Sequence, residues 1–430
     1  MENKKQYIQS LFNDAHNVKF GCVMFDLQEV EDEKHIPLPG SGWASIEGEP
    51  AFRIKNTGDL SSEVKWLSNL SQEILWKSGV VKQPKLKHSS YLRTDVGQIM
   101  KELGLTPPTV PIAEVCEIIS GLFNKVMKIA IEYYGLKSFN QKELYSELKT
   151  VLIGEDKSIS IHVDESLSRA YQDLVICEKP LSKEKLKEKQ MFVTLKRPRY
   201  FHAKSIIDTS IPFYKGDWEF FGPDDLPAQT NKKIDFLAKL DRPFVAKVSI
   251  NSFKQSNNLN VDLNKLLDLG EAIGEGGRPK DRNWACQPEL LYLSKFADLN
   301  IDAAFVADGY QSLPNNISLP YLGELSDFSY SLGLLAENLW IGLASRSVNP
   351  QTRTKTLVTP RACWLKAADR FMTMTSAMML SSAGFTVSSY GYGGVTLVID
   401  ESQIAQLIEL APYAGLSVPI NLIEKKINVF

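Results

Sequence analysis

Three short segments gather positive charge beside residues that stack or donate hydrogen bonds. In the first, Lys196, Arg197, Arg199 and Lys204 surround Tyr200 and Phe201. Arginine grips phosphate through its planar fork, lysine acts as a point charge, and aromatic rings stack on bases. That mixture suits a groove for a single strand. In the second, Arg278, Lys280 and Arg282 follow Gly274, Gly276 and Gly277. Glycine lets backbone amides approach an anion closely. In the third, Arg346, Arg353 and Lys355 lie in a loop rich in Ser and Thr, and Arg361, Lys366 and Arg370 continue the series into a helix. The free N–H groups of a helix start add to the attraction for phosphate.

The surrounding charge layout sharpens this. From Asp308 to Ser345 the acids are Asp308, Glu324, Asp327 and Glu337, and there is no Lys or Arg. From Arg346 to Arg370 the only acid is Asp369, and from Phe371 to Ile423 bases are again absent. The formal net charge of the whole chain is only −2. Attraction for a polyanion therefore has to come from local patches.

Other chemistries find less support. A polymerase-type site needs carboxylates on neighbouring strands to hold two metals. Asp308, after Phe305-Val-Ala, stands where a first carboxylate would. The hairpin tip Tyr390-Gly-Tyr-Gly-Gly-Val395 supplies no second one. Asp308 with a divalent metal remains the basis of an alternative reading, an enzyme acting on a phosphate-bearing or nucleic-acid substrate. The glycine segment lacks the Gly-Lys-Ser/Thr of a P-loop, and it follows a helical rather than a strand pattern, unlike a dinucleotide fingerprint. His16, His35, His88, His162 and His202 are isolated, without metal-ligand spacing. No Gly-x-Ser-x-Gly elbow is present.

The elements that must position these groups are legible in part. Thr359 caps and Pro360 opens a helix whose apolar residues recur through Met379. Gly384 stops it. Phe385–Ser389 and Val395–Ile399 alternate as strands around a glycine-rich tip. Asp400-Glu-Ser402 caps a helix through Ala411, and a last strand is expected near Leu416–Ile420. Upstream, Phe20–Asp26 and Phe244–Ile250 read as strands, with weaker ones at residues 40–44 and 51–54. Met191–Leu195 reads as a strand that continues into Lys196–Lys204. That continuation puts one of Tyr200 and Phe201 in the core. Helices are expected at Tyr7–Ala15, from Ser61 onward, at Ile112–Tyr134 with Gly135 as its stop, at Gln141–Leu152, Ser166–Val175, Leu263–Leu269, Pro288–Phe296 and Ser326–Ala344.

The fold class is α+β. A mainly helical part with a short β region covers residues 1–178, a basic linker or strand 179–204, and a mixed part 205–430. The last contains a ferredoxin-like or palm-like helix–hairpin–helix unit. The five scattered cysteines point to free thiols in a reducing, cytoplasmic setting. The uncharged stretch from Phe371 to Ile399 is broken by Ser, Thr and Gly and does not read as a membrane span. The expected function is non-catalytic binding of RNA or single-stranded DNA within a larger complex, with no cofactor. A third reading is a structural assembly subunit in which Trp364, Phe371 and nearby methionines face a protein partner.

Overall fold

The computed structural model describes residues 18–26, 40–77, 86–105, 107–137, 139–152, 179–180, 190–212, 217–254, 272–273, 279–280, 284–313, 317–320, 329–345, 347–348, 356–357, 359–420 and 422–423. The fold is mixed α+β and forms two compact units. The first is Met1–Gly154 with Asn316–Gly342 and Pro419–Asn421, and the second is Glu155–Asn315, Leu343–Val418 and Leu422–Phe430. The helices expected at Tyr7–Ala15, Ser166–Val175 and Leu263–Leu269 lie outside the described residues.

The first unit is built on a five-stranded sheet, so its β content exceeds the sequence expectation. β1 (Lys19–Phe25) is its centre. It pairs antiparallel with β2 (Gly42–Ile46), and β2 pairs with β3 (Phe52–Ile54). On its other side it runs parallel to β4 (Val64–Ser68), and β4 to β5 (Leu86–Lys87). β4 corrects the helix expected from Ser61. Val64 and Leu67 do fit helical spacing, but Trp66 and Leu67 are both buried, as on a central strand covered on both faces. The helical pattern resumes only at α1 (Gln72–Lys77). Asn69 ends β4 by bonding both backbone groups of Phe25 at 3.0 Å, which no local pattern announces.

α2 (Val96–Glu102) is capped by Asp95, whose side chain accepts from Gly97 N–H. α3 (Ile112–Tyr134) has the expected bounds, with Gly135 left-handed at its end. It packs on β1 and β2. Ser120 Oγ donates to Ser45 O at 2.9 Å, and the Cys116 thiol reaches the carbonyls of Cys22 and Trp43. α4 (Leu144–Leu152) follows. The helix Ser329–Leu343 belongs mostly to this unit, although the sequence reading gave it to the C-terminal part. Polar contacts fix it there: Thr94 Oγ1 donates to Glu337, Asn338 Nδ2 to Leu92 O, and Tyr330 to Glu102.

The second unit has two four-stranded antiparallel sheets. In chain order it contains β6 (Lys179–Pro180), β7 (Gln190–Lys196), α5 (Arg199–Ile207), β8 (Trp218–Phe221), α6 (Thr230–Lys239) and β9 (Phe244–Phe253). Then come β10 (Trp284–Cys286), α7 (Gln287–Leu293), β11 (Ala297–Ala307), α8 (Pro360–Ser382), β12 (Thr386–Gly391), β13 (Gly394–Asp400) and α9 (Ile404–Leu410). One sheet has the order β10-β9-β11-β8 and the other β6-β12-β13-β7. A single apolar core joins them, including Leu195, Val306, Met374, Met378, Leu397 and Leu407. The strand expected at Leu416–Ile420 is reduced to one bridge, Lys196 with Ser417. Among the described residues no helix is long and apolar enough to cross a membrane.

Lys87 is a buried cation in the first unit. It is only 7% exposed, yet its ammonium donates to Phe139 O at 2.6 Å and Gln141 O at 2.7 Å and lies over the Tyr91 ring. Burial lowers its pKa to about 8, with Glu147 opposing the shift. A free lysine keeps its proton to about 10.4. Between those values the unfolded chain holds the extra proton, so stability rises with pH there. Urea unfolding from about pH 8 to about pH 10 should show a steeper gain for the native chain than for Lys87→Met. Equal slopes would show that the fold does not bear this cost.

Candidate functional site

The hairpin of β12 and β13 closes through Tyr392 and Gly393, between the paired residues Gly391 and Gly394. Tyr392 has φ 49° and Gly393 φ 70°, the two positive values that a two-residue type I′ turn needs. Tyr392 holds this conformation without being glycine because its N–H is fixed. It donates to Asp369 Oδ2 at 2.7 Å. Gly393 N–H donates to Asp369 Oδ1 at 2.7 Å, and the His202 Nε2 proton goes to the same oxygen at 2.8 Å. Both carboxylate oxygens are therefore engaged. Asp369 is 0% exposed and His202 4%. A Cβ on Gly393 would stand 2.9 Å from the His202 ring, so glycine is required by space as well as by conformation.

β7 delivers the basic residues to this tip. Lys196 Nζ donates to Tyr392 O at 3.0 Å, and Arg197 N–H to Gly393 O at 2.7 Å. The Arg197 guanidinium turns inward, where Nη1 meets Ser376 Oγ at 3.1 Å. Burial pulls the Arg197 pKa down, and the charge of Asp369 opposes that shift. Pro198 then breaks the strand and α5 begins at Arg199. The sequence pattern alone carries the strand on to Lys204. The helix nevertheless yields the expected division of the aromatics: Tyr200 is 9% exposed and Phe201 58%, with their rings edge to face. Arg199 is half-buried, and Lys204 is exposed in an i,i+4 pair with Asp208.

The third basic segment divides. Arg361 and Arg370 are each 2% exposed and do not face solvent. Arg361 Nε donates to Leu343 O, and Arg370 binds Glu289 with Nε at 2.8 Å and Nη2 at 3.2 Å. This corrects their placement as surface phosphate ligands: they lie inside the fold and serve buried partners there. Lys366 is half-buried. Arg278, Arg282, Arg346, Arg353 and Lys355 lie outside the described residues, and Lys280 is placed only as backbone of a short strand, Pro279–Lys280.

Asp308 follows β11, as expected, and is about half exposed. Its Oδ2 accepts from Asp217 N–H at 2.8 Å, and Oδ1 lies 3.6 Å from Arg242. It ties the ends of neighbouring strands. Among the described residues no group of three His, Cys, Asp or Glu side chains is arranged to hold a metal. Trp364, a candidate partner contact, is 1% exposed and sits against Trp218 in the core. The central residue that sequence reasoning missed is Asp369. One signal was available: it is the only acid within a run of bases.

No protein-family model matches the chain, and no curated protein matches it. Among solved structures it is similar to Phi29 DNA polymerase complexed with primer-template DNA, at 10% identity and a TM-score of 0.46, over 88% of this chain and 80% of that chain. It is similar also to Phi29 DNA polymerase complexed with single-stranded DNA, at 12% identity and a TM-score of 0.45, with the same coverage. Likenesses of this size decide neither family nor activity.

Removing the Asp369 carboxylate strands two backbone N–H groups and a histidine donor in a dry site. Each unsatisfied group costs about 1–3 kcal/mol. Asp369→Ala should lose about 3 kcal/mol or more in urea unfolding, with Asp369→Asn in between. A loss below about 1 kcal/mol would contradict the arrangement.

Proposed function

We propose that this chain binds RNA or single-stranded DNA without catalysing a reaction on it, as one component of a larger complex. In this reading α8, β12, β13 and α9 form a palm-like unit whose hairpin supports a strand instead of metal ions. One observation carries the proposal. β7 sets Lys196 against a hairpin tip that has no acid, and the helix α5 that follows directly carries Arg199 and the exposed ring of Phe201. The carboxylate held by that tip, Asp369, is buried with both oxygens occupied. A phosphate approaching there meets positive charge and no exposed anion from the tip. The groups expected to touch the strand are Lys196, Arg199, Phe201 and Lys204. Arg278, Lys280, Arg282, Arg346, Arg353, Lys355 and Lys366 remain proposed contacts on sequence grounds.

The same facts weigh against a metal-assisted reaction at this tip. Metal ligation needs carboxylate oxygens free to turn toward the ion. Here the tip residues are glycine and tyrosine, and Asp369 points its oxygens at amides.

Titration of a labelled single strand against salt tests the reading. Binding should weaken with salt on a log–log line whose slope counts the phosphates contacted. The double variant Lys196→Glu/Arg199→Glu should bind at least about tenfold more weakly, with a shallower slope, while its circular dichroism stays native. No binding at low salt, or an unchanged slope in the variant, would exclude this surface.

A further inference from the structure

Alternate residues of a strand face opposite sides of its sheet. Along β7, Val193 and Leu195 enter the core, while Phe192 and Thr194 face out. Phe192 is 52% exposed, a high value for a ring on a paired strand. Strand register arranges the outer face in rows. Phe192 lies opposite Val398, Thr194 opposite Thr396, and Lys196 opposite Gly394. On the next strand, Ser389 is opposite Thr396 and Gly391 opposite Gly394. The face therefore grades from an aromatic row, through a hydroxyl row, to lysine beside glycine. The Thr194 and Thr396 hydroxyls are 2.9 Å apart, so the middle row is already an ordered hydrogen-bonding strip.

We infer that this outer face is a track for single-stranded nucleic acid, with a base stacked on Phe192 and the phosphate chain led over Thr194 and Thr396 to Lys196 and Arg199. The inference rests on the function proposed above and names a contact that reading lacked. Charge selects the occupant. The rows from Phe192 to Lys196 contain no carboxylate on β7 or β13. Asp400 lies outside them, opposite Gln190, where it forms a capping box with Gln403. Strand rise places Phe192 and Lys196 about 13 Å apart, which leaves room for a stacked base at one end and a phosphate contact at the other. A helical protein partner would call for a continuous apolar stripe. The hydroxyl row interrupts any such stripe here. Stacking on a ring is indifferent to base identity, so the track should tolerate many sequences.

Binding of a short labelled oligothymidylate and its oligouridylate counterpart to the full chain tests the track. Phe192→Ala should weaken both by roughly five- to a hundredfold, while the slope of log affinity against log salt stays unchanged, because no phosphate contact is removed. Phe192→Trp should keep native affinity, and its added indole emission should be quenched on binding. Native affinity in Phe192→Ala, with binding still lost in Lys196→Glu/Arg199→Glu, would overturn the track and leave the backbone-binding function standing. Absence of binding by the unaltered chain would overturn both. A Phe192→Ala effect confined to the mass of the purified chain would make this face a protein contact and would also overturn the track.

Discussion

The second unit depends on one buried carboxylate. Asp369 sits in the middle of α8 at 0% exposure and accepts three hydrogen bonds. Taking a carboxylate out of water is expensive unless its lone pairs are all used. Here they are used on groups far apart in sequence: the tip of the β12–β13 hairpin and the first turn of α5. The carboxylate therefore fixes helix, hairpin and basic turn relative to one another. Two further polar links reinforce α8. Arg370 holds Glu289 of α7, and Ser376 joins Arg197 to Ala414 O. α8 is thus a spine whose buried Asp369 and Arg370 both find their partners inside the fold.

This arrangement has a consequence for binding. The hairpin amides of Tyr392 and Gly393 could in principle cradle an anion, as turn amides often do. Asp369 occupies them from below. Those two amides are therefore not open to an anion, and the ammonium at the tip is that of Lys196, which donates to Tyr392 O. The first unit uses the same device at other places. Asn69 clamps Phe25, and Lys87 bridges the carbonyls of Phe139 and Gln141. In each case one polar side chain replaces a backbone ladder where a strand ends.

Features set by nearby residues were legible in the sequence. The bounds of α3, the Thr359 cap of α8 and the turn between β12 and β13 all follow from periodicity, capping and glycine placement. What failed depended on distant partners. β4 resembled a helix because Val64 and Leu67 have helical spacing, and only its parallel pairing with β1 makes it a strand. α5 resembled a continuation of β7 until Pro198 ended the ladder. Arg361 and Arg370 looked like a surface series because their acceptors, Leu343 O and Glu289, are remote in sequence. Phe192 read as one more apolar strand residue, since its facing is decided by pairing with β13.

Asp369 holds the hairpin tip shut through the amides of Tyr392 and Gly393. Amide hydrogen exchange resolved at Tyr392 and Gly393 tests it most directly. Both amides should exchange as slowly as those in the centres of β12 and β13, through global opening only. Exchange at both positions as fast as in an exposed turn would contradict it.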